Sequence, residues 1–257
     1  FCVWASNNKS EMSHSFLRKC DFEDLQEIKL IDNIAKHFLI YLFDCGSNFG
    51  FYSLYVASKN KENKVCSFEA SPSTFYEMKQ NIILNKYKTI EAKNLAVSNV
   101  DGEMLNLFES EKDWESSISH SNFKNKSKIE VNSVTLDNFS KNKDLNKYSI
   151  IIKLDVEGHE MQVIDGSLSL IKKHSPIIIL EFSKFIKNNK NYDYSYLKNF
   201  LTKYNYYIYN SKYELTSLEK IIYQIENLPN NMYGIGNIFL IKQKSKFENI
   251  IQNVRSY

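Results

Sequence analysis

The chain reads as an α/β protein built on one doubly wound, mostly parallel sheet, and three observations predict it. Short apolar runs at residues 38–43, 65–68, 149–155 and 176–180 have the length and composition of buried strands. Helical stretches lie between them, so strand and helix alternate along the chain. Carboxylates close the runs: Asp44, Glu69, Asp155 and Glu181 each fall at a strand's carboxyl end. That edge of an open α/β sheet is where ligands bind.

The elements follow in order. From Asp21 to Lys36 the apolar positions Leu25, Ile28, Ile31 and Ala35 recur at helical spacing, with Asp21 as N-cap. Strand one, 38–43, runs into Asp44-Cys45-Gly46-Ser47-Asn48-Phe49-Gly50, a tight turn, and a helix over 51–58. Strand two covers 65–68 and ends at Glu69. Ser71 caps the next helix, with Pro72 at its first position, and that helix runs to about Asn85. A third strand is expected over 90–97. Residues 103–108 and 128–135 alternate apolar and polar, which predicts an antiparallel pair. The polar segment 109–127 between them carries Trp114 and serines 116, 117 and 119. After a charged connector, 142–147, come strand four at 149–155, one helix over 160–173, and strand five at 176–180. A helix at 194–204 and strands at 206–209 and 237–241 complete the pattern as a terminal antiparallel hairpin.

With 257 residues the chain is long enough for one large domain. We expect a single domain over 1–257: a helical extension at 1–37, a cofactor-binding core at 38–185, and acceptor-side strands at 186–257. The net charge of +3 is too small and dispersed to argue for a nucleic-acid partner. No apolar run reaches the length of a membrane span. Cys2, Cys20, Cys45 and Cys66 lie far apart without a C-x-x-C pair, which suits a reduced, cytoplasmic chain. The first residue is Phe rather than Met, so targeting by a preceding segment stays open.

The turn at 44–50 decides the ligand class. A dinucleotide fold shows G-x-G-x-x-G and a phosphate loop shows G-x-x-x-x-G-K-[ST]. The chain has D-x-G-x-x-x-G, without the middle glycine that admits a pyrophosphate or the lysine that grips one. Asp44 instead offers a carboxylate to a cationic ligand, which suits the amino-acid end of S-adenosylmethionine. Glu69 stands where an acid accepts hydrogen bonds from both ribose hydroxyls of an adenosine. The densest ionisable cluster is Lys153-Leu154-Asp155-Val156-Glu157-Gly158-His159-Glu160, directly after strand four. A helix dipole explains Glu160; it does not explain Asp155, on the sheet's carboxyl edge.

These stretches resemble the FkbM-type methyltransferases, a branch of the class I S-adenosylmethionine-dependent enzymes. The resemblance rests on FDCGSNFGFYSL, SFEASPSTFYEMKQNI, NLAVSNVDG, VTLDNF, IIKLDVEGHEMQVIDGS and PIIILEF, in the family's order over about residues 40–182. Ser47 and Ala70 depart from the family's common Ala and Pro. The resemblance implies a Rossmann-like class I sheet of seven strands, six parallel and one antiparallel. It implies methyl transfer to a hydroxyl, often of a sugar. Carried onto these positions, Asp44, Gly46, Asn48, Phe49, Gly50, Glu69, Ala70 and Ser71 would bind the cofactor, with Ala96 and Ser98 near its adenine. Asp155, Glu157 and His159 would lie beside the transferring methyl group.

The expected activity is O-methylation of a carbohydrate hydroxyl, in a nucleotide-linked sugar or a surface glycan. Partners are then S-adenosylmethionine and a small-molecule or glycan acceptor, with a homodimer left open. Two routes to deprotonation compete. In one, Mg²⁺ or Mn²⁺ sits on Asp155, His159 and Glu181. In the other, His159 is the general base. Two other classes remain: a nucleotide-dependent oxidoreductase on a similar sheet, and a non-catalytic subunit of the same fold. Residues 1–20 and 109–127 are the candidate acceptor or lid segments, with Trp114 as a stacking surface.

Overall fold

The computed structural model describes residues 2, 25–109, 118, 127–188, 191–230 and 232–255. Asp21, Trp114, serines 116, 117 and 119, and nearly all of the two candidate acceptor segments lie outside these residues. The described chain opens with α1 (Leu25–Ala35), β1 (Ile40–Cys45), α2 (Phe51–Lys59), β2 (Lys64–Phe68), α3 (Pro72–Asn85) and β3 (Ile90–Lys93). Next come β4 (Ala96–Val97), β5 (Met104–Glu109), β6 (Ser127–Val134), α4 (Leu136–Ser140) and β7 (Ser149–Leu154). Then follow α5 (Glu160–Asp165), α6 (Leu168–His174), β8 (Ile177–Ser183), a 3-10 turn (Lys184–Asn188) and α7 (Tyr194–Tyr204). The chain closes with β9 (Tyr206–Tyr209), β10 (Leu215–Thr216), α8 (Leu218–Glu226), β11 (Gly234–Lys242) and α9 (Lys246–Arg255).

The main sheet runs β10-β9-β11-β8-β7-β1-β2-β3. Strands β3, β2, β1, β7 and β8 pair in parallel, and β11 is antiparallel to both β8 and β9. Six strands therefore point one way and β11 the other. The two-residue β10 makes eight rather than seven. The strands that follow residue 185 complete the same sheet. Isoleucine, leucine and phenylalanine fill both faces, as a sheet covered by helices on both sides requires.

Two expected elements divide, each for a long-range reason. The expected strand 90–97 divides. Asn94 turns out of the ladder, and its Nδ2 donates to the carbonyls of Glu69 and Ala70, both at 2.8 Å. The piece beyond it, β4, joins β6 and β5 in a separate three-stranded sheet, where β5 and β6 form the expected antiparallel pair. The expected helix 160–173 also divides. A Cβ on Gly166 would lie 2.1 Å from the Ser98 carbonyl oxygen, so the chain crosses there with no side chain and restarts as α6. Helices α4, α8 and α9 were not anticipated.

Ser71 caps α3 as expected, its Oγ accepting from Thr74 N at 3.4 Å, with Pro72 at the first position. Tyr206 and Tyr209 are buried packing residues. Cys45 and Cys66 are buried free thiols. Among the described residues no helix is long and apolar enough to cross a membrane.

Candidate active site

One face of the sheet changes character along its strands. Side chains at alternate positions share a face, and on the face that α2 covers the strands begin apolar and end polar. Strand β1 carries Ile40 and Leu42, then Asp44. Strand β7 carries Ile151, then Lys153 and, just past its end, Asp155. Strand β8 carries Ile177 and Ile179, then Glu181. The reversed β11 carries Ile241 and Phe239, then Asn237. Parallel register aligns Ser67, Asp44 and Lys153 in one row. Two residues further, Asp155 follows the Leu154–Leu180 pair, and Glu181 pairs with Asn237, giving a second polar row.

The first row is buried. Asp44 and Ser67 are fully buried, and Lys153 is 2% exposed. Ser53 Oγ, from α2, donates to Asp44 Oδ2 at 2.6 Å and lies 2.6 Å from Ser67 Oγ. Lys153 Nζ donates to Asp155 Oδ2 at 2.7 Å and stands 4.7 Å above the Tyr52 ring. Burial raises the Asp44 carboxyl, opposed by the Lys153 charge and the Ser53 bond. Its Oδ1 is buried without a hydrogen-bond partner.

The β1–α2 turn is wired to the end of β2. Gly46 N and Ser47 N donate to the Phe68 carbonyl at 3.0 and 2.9 Å, and Ser47 Oγ donates to the Asp44 carbonyl. Asn48 is left-handed at φ 50°. Its N–H donates to Glu69 Oε2, and Ser71 N donates to Glu69 Oε1, both at 2.9 Å. Glu69 thus locks the two βα loops together, and burial pushes its carboxyl up to about 7. Phe49 packs into the apolar core, while Gly50, at φ 91°, approaches Met78. Ala70 packs against the small apolar cluster that contains Ala96.

In the second row Asp155 is more open: its side chain is 35% exposed. Burial would raise the Asp155 carboxyl, but the Lys153 ammonium and a hydrogen bond shared with Glu181 hold it below its usual range. The Asp155 charge, then burial, pushes Glu181 well above its usual range. Two carboxylates this close oppose one another's ionisation. Glu157, left-handed at φ 52°, brings a third carboxylate: one oxygen each from Asp155, Glu157 and Glu181 lie within 4.8 Å of one another. Glu160 sustains that turn. It is fully buried, and its Oε1 accepts from Val156 N at 3.2 Å and Gly158 N at 3.0 Å.

His159 goes elsewhere. Its Nε2 lies 2.9 Å from Ser98 Oγ, and burial lowers its imidazole to about 4. It is a neutral bracket between the β4 loop and the start of α5. Among the described residues, the group spaced to hold an ion is Asp155, Glu157 and Glu181; His159, expected there, is not part of it. The signal for Glu157 was available: the glycine after it allows the left-handed pair that turns its side chain back. Ser98 and Ala96 are 1% and 2% exposed, at the edge of the small sheet.

A family model described as the methyltransferase FkbM domain matches residues 44–208. The chain is also similar to a protein named methyltransferase 1 from Beauveria bassiana, 23% identical over 143 residues, 49% of this chain and 57% of that one. Among solved structures, an FkbM methyltransferase from Methylobacillus flagellatus superposes with TM-score 0.47 at 13% identity, over 78% of this chain and 43% of the other. A TYW2 structure from M. jannaschii in complex with AdoMet gives 0.41 at 12% identity, over 88% and 80%. The chain thus spans little more than half the length of the curated relative it matches.

Proposed function

Because the chain belongs to the methyltransferase FkbM domain family, we propose that it moves the methyl group of S-adenosylmethionine to a hydroxyl of a carbohydrate, in a nucleotide-linked sugar or surface glycan. The observation that carries this reading is the pairing of a buried, orphaned carboxylate oxygen on Asp44 with a ring of carboxylates two residues further along the sheet. The first suits a cationic cofactor, and the second suits the activation of a hydroxyl. When bound, S-adenosylmethionine supplies a methyl group made electrophilic by its sulfonium.

The residues present fit that cofactor. Asp44 offers its free oxygen to the ammonium end. Gly46 lets the turn pass against the Asp155 carbonyl, and Gly50 lets it pass against Met78. Glu69, pinned by two backbone N–H groups, keeps lone pairs for the ribose hydroxyls. Glu69→Ala is expected to weaken S-adenosylhomocysteine binding by about 1.5–3 kcal/mol, the range for hydrogen bonds to a charged group. Calorimetry on the folded variant measures it, and unchanged affinity removes the ribose assignment.

The acceptor's proton is the second task. A neutral His159 held against Ser98 supports a bracing role better than a base. The three carboxylates suit Mg²⁺ or Mn²⁺, hard cations that take oxygen ligands. A cation there would lower the pKa of a hydroxyl bound to it, while Lys153 keeps Asp155 ionised for the site. Exhaustive chelation is expected to lower methyl transfer at least a hundredfold, the low end for loss of proton-transfer assistance, with Mn²⁺ restoring it. Full turnover in chelator, retained by Glu181→Ala, would leave a metal-free mechanism.

A further inference from the structure

Asn237 lies at the same end of the sheet as the carboxylates, on a strand that runs the other way. It is 8% exposed, and its Oδ1 is buried without a hydrogen-bond partner. Buried amide oxygens in native proteins are almost always satisfied, so an orphan beside a cluster of carboxylates calls for a ligand. Its register is specific: Asn237 stands directly opposite Glu181, whose own Oε2 is equally without a partner. Residues directly opposite in an antiparallel pair share a face, with Cβ atoms about 4.5–5.5 Å apart.

The strand is shaped to put it there. From Gly234 to Asn237 the chain advances three residues while β8 advances two, from Ser183 to Glu181. The extra residue is a bulge, and Gly236 within it takes φ 80° with open space around it. A bulge re-aims the side chains beyond it and is common beside active sites. Without it, the alternation of β11 would turn Asn237 to the opposite face.

We propose that Asn237 is a further binding residue of the carboxylate site, giving its amide oxygen to the same divalent cation as Asp155, Glu157 and Glu181. This rests on the cation reading given above. A carboxamide oxygen is a fitting fourth donor, because hard cations accept such oxygens alongside carboxylates.

Manganese binding, followed by calorimetry and by the loss of the free Mn²⁺ resonance signal, tests the proposal without reference to turnover. The wild-type chain is expected to bind one Mn²⁺. Asn237→Ala should weaken it roughly tenfold or more, as loss of an oriented partner at a metal site does, while S-adenosylhomocysteine affinity stays unchanged. Asn237→Asp gives an independent reading should the alanine variant fold poorly: it should bind Mn²⁺ at least as tightly as wild type. Wild-type affinity in Asn237→Ala, with binding lost in Glu181→Ala, overturns the role of Asn237 alone. Weaker binding in a folded Asn237→Asp overturns it too. Failure of the wild-type chain to bind Mn²⁺ overturns the cation reading and this inference with it.

Discussion

Gly46→Ala is expected to cost about 2–5 kcal/mol of stability, the sum of a left-handed alanine and an overpacked contact, and to abolish cofactor binding. A Cβ at Gly46 would stand 1.8 Å from the Asp155 carbonyl oxygen and 2.8 Å from its carbonyl carbon. Both are backbone atoms, so no rotamer relieves the overlap. The Asp155 N–H is bonded to the Cys45 carbonyl, and Gly46 N to Phe68, so neither strand end can retreat without breaking its ladder. The φ of 77° adds its own strain. Gly102→Ala is the control. Its φ is 71°, yet nothing lies within 4 Å of its Cβ position, so only the conformational cost of about 1–2 kcal/mol applies. Urea unfolding of the two variants compares them. Equal losses would mean that the β1–β7 approach is looser than the geometry requires.

Lys153→Met is the second large effect, at about 3 kcal/mol. Removing one partner of a buried ion pair costs about 3–5 kcal/mol, because the other charge is stranded. The lower end applies here because Asp155 is partly open to solvent. Methionine keeps the length and the contact with Tyr52 but leaves Asp44, with no exposure of its own, without the charge that opposes its burial. Adding Asp44→Asn should recover part of the loss, a coupling that a double-mutant cycle measures. A single variant as stable as wild type, or a double variant showing no coupling, would show that Lys153 is not the counter-charge of this row.

Some of this architecture was readable in the chain because the causes are local. Asp44-x-Gly46 states its own turn, and Ser71-Pro72 states its own helix start. The polar ends of β1, β7 and β8 appear as an acid at the end of an apolar alternation. What escaped depends on residues far apart. Nothing near Asn94 announces that it will bond to the carbonyls of Glu69 and Ala70 and split a strand. Nothing near Gly166 announces Ser98 beneath it. Asn237 escaped because an amide at a strand's end is ordinary until its neighbour is known, and the neighbour is fixed by a bulge the periodicity does not reveal. Glu157 and His159 are two residues apart, and only the left-handed turn decides which of them meets Asp155 and Glu181.

Strand β11 is made after β8 and β9, yet it lies between them in the sheet. A growing chain that has reached residue 230 holds β8 with its outer edge bare, the backbone groups of Ile178 to Leu180 awaiting Leu240 to Ile238. Bare apolar strand edges invite pairing with other chains. Closing that gap joins segments about sixty residues apart, which slows folding relative to local contacts. The strand that delivers Asn237 is therefore also the one whose late insertion seals the sheet, so a chain that acquires the last member of the second polar row ceases, in the same step, to be prone to aggregation at that edge.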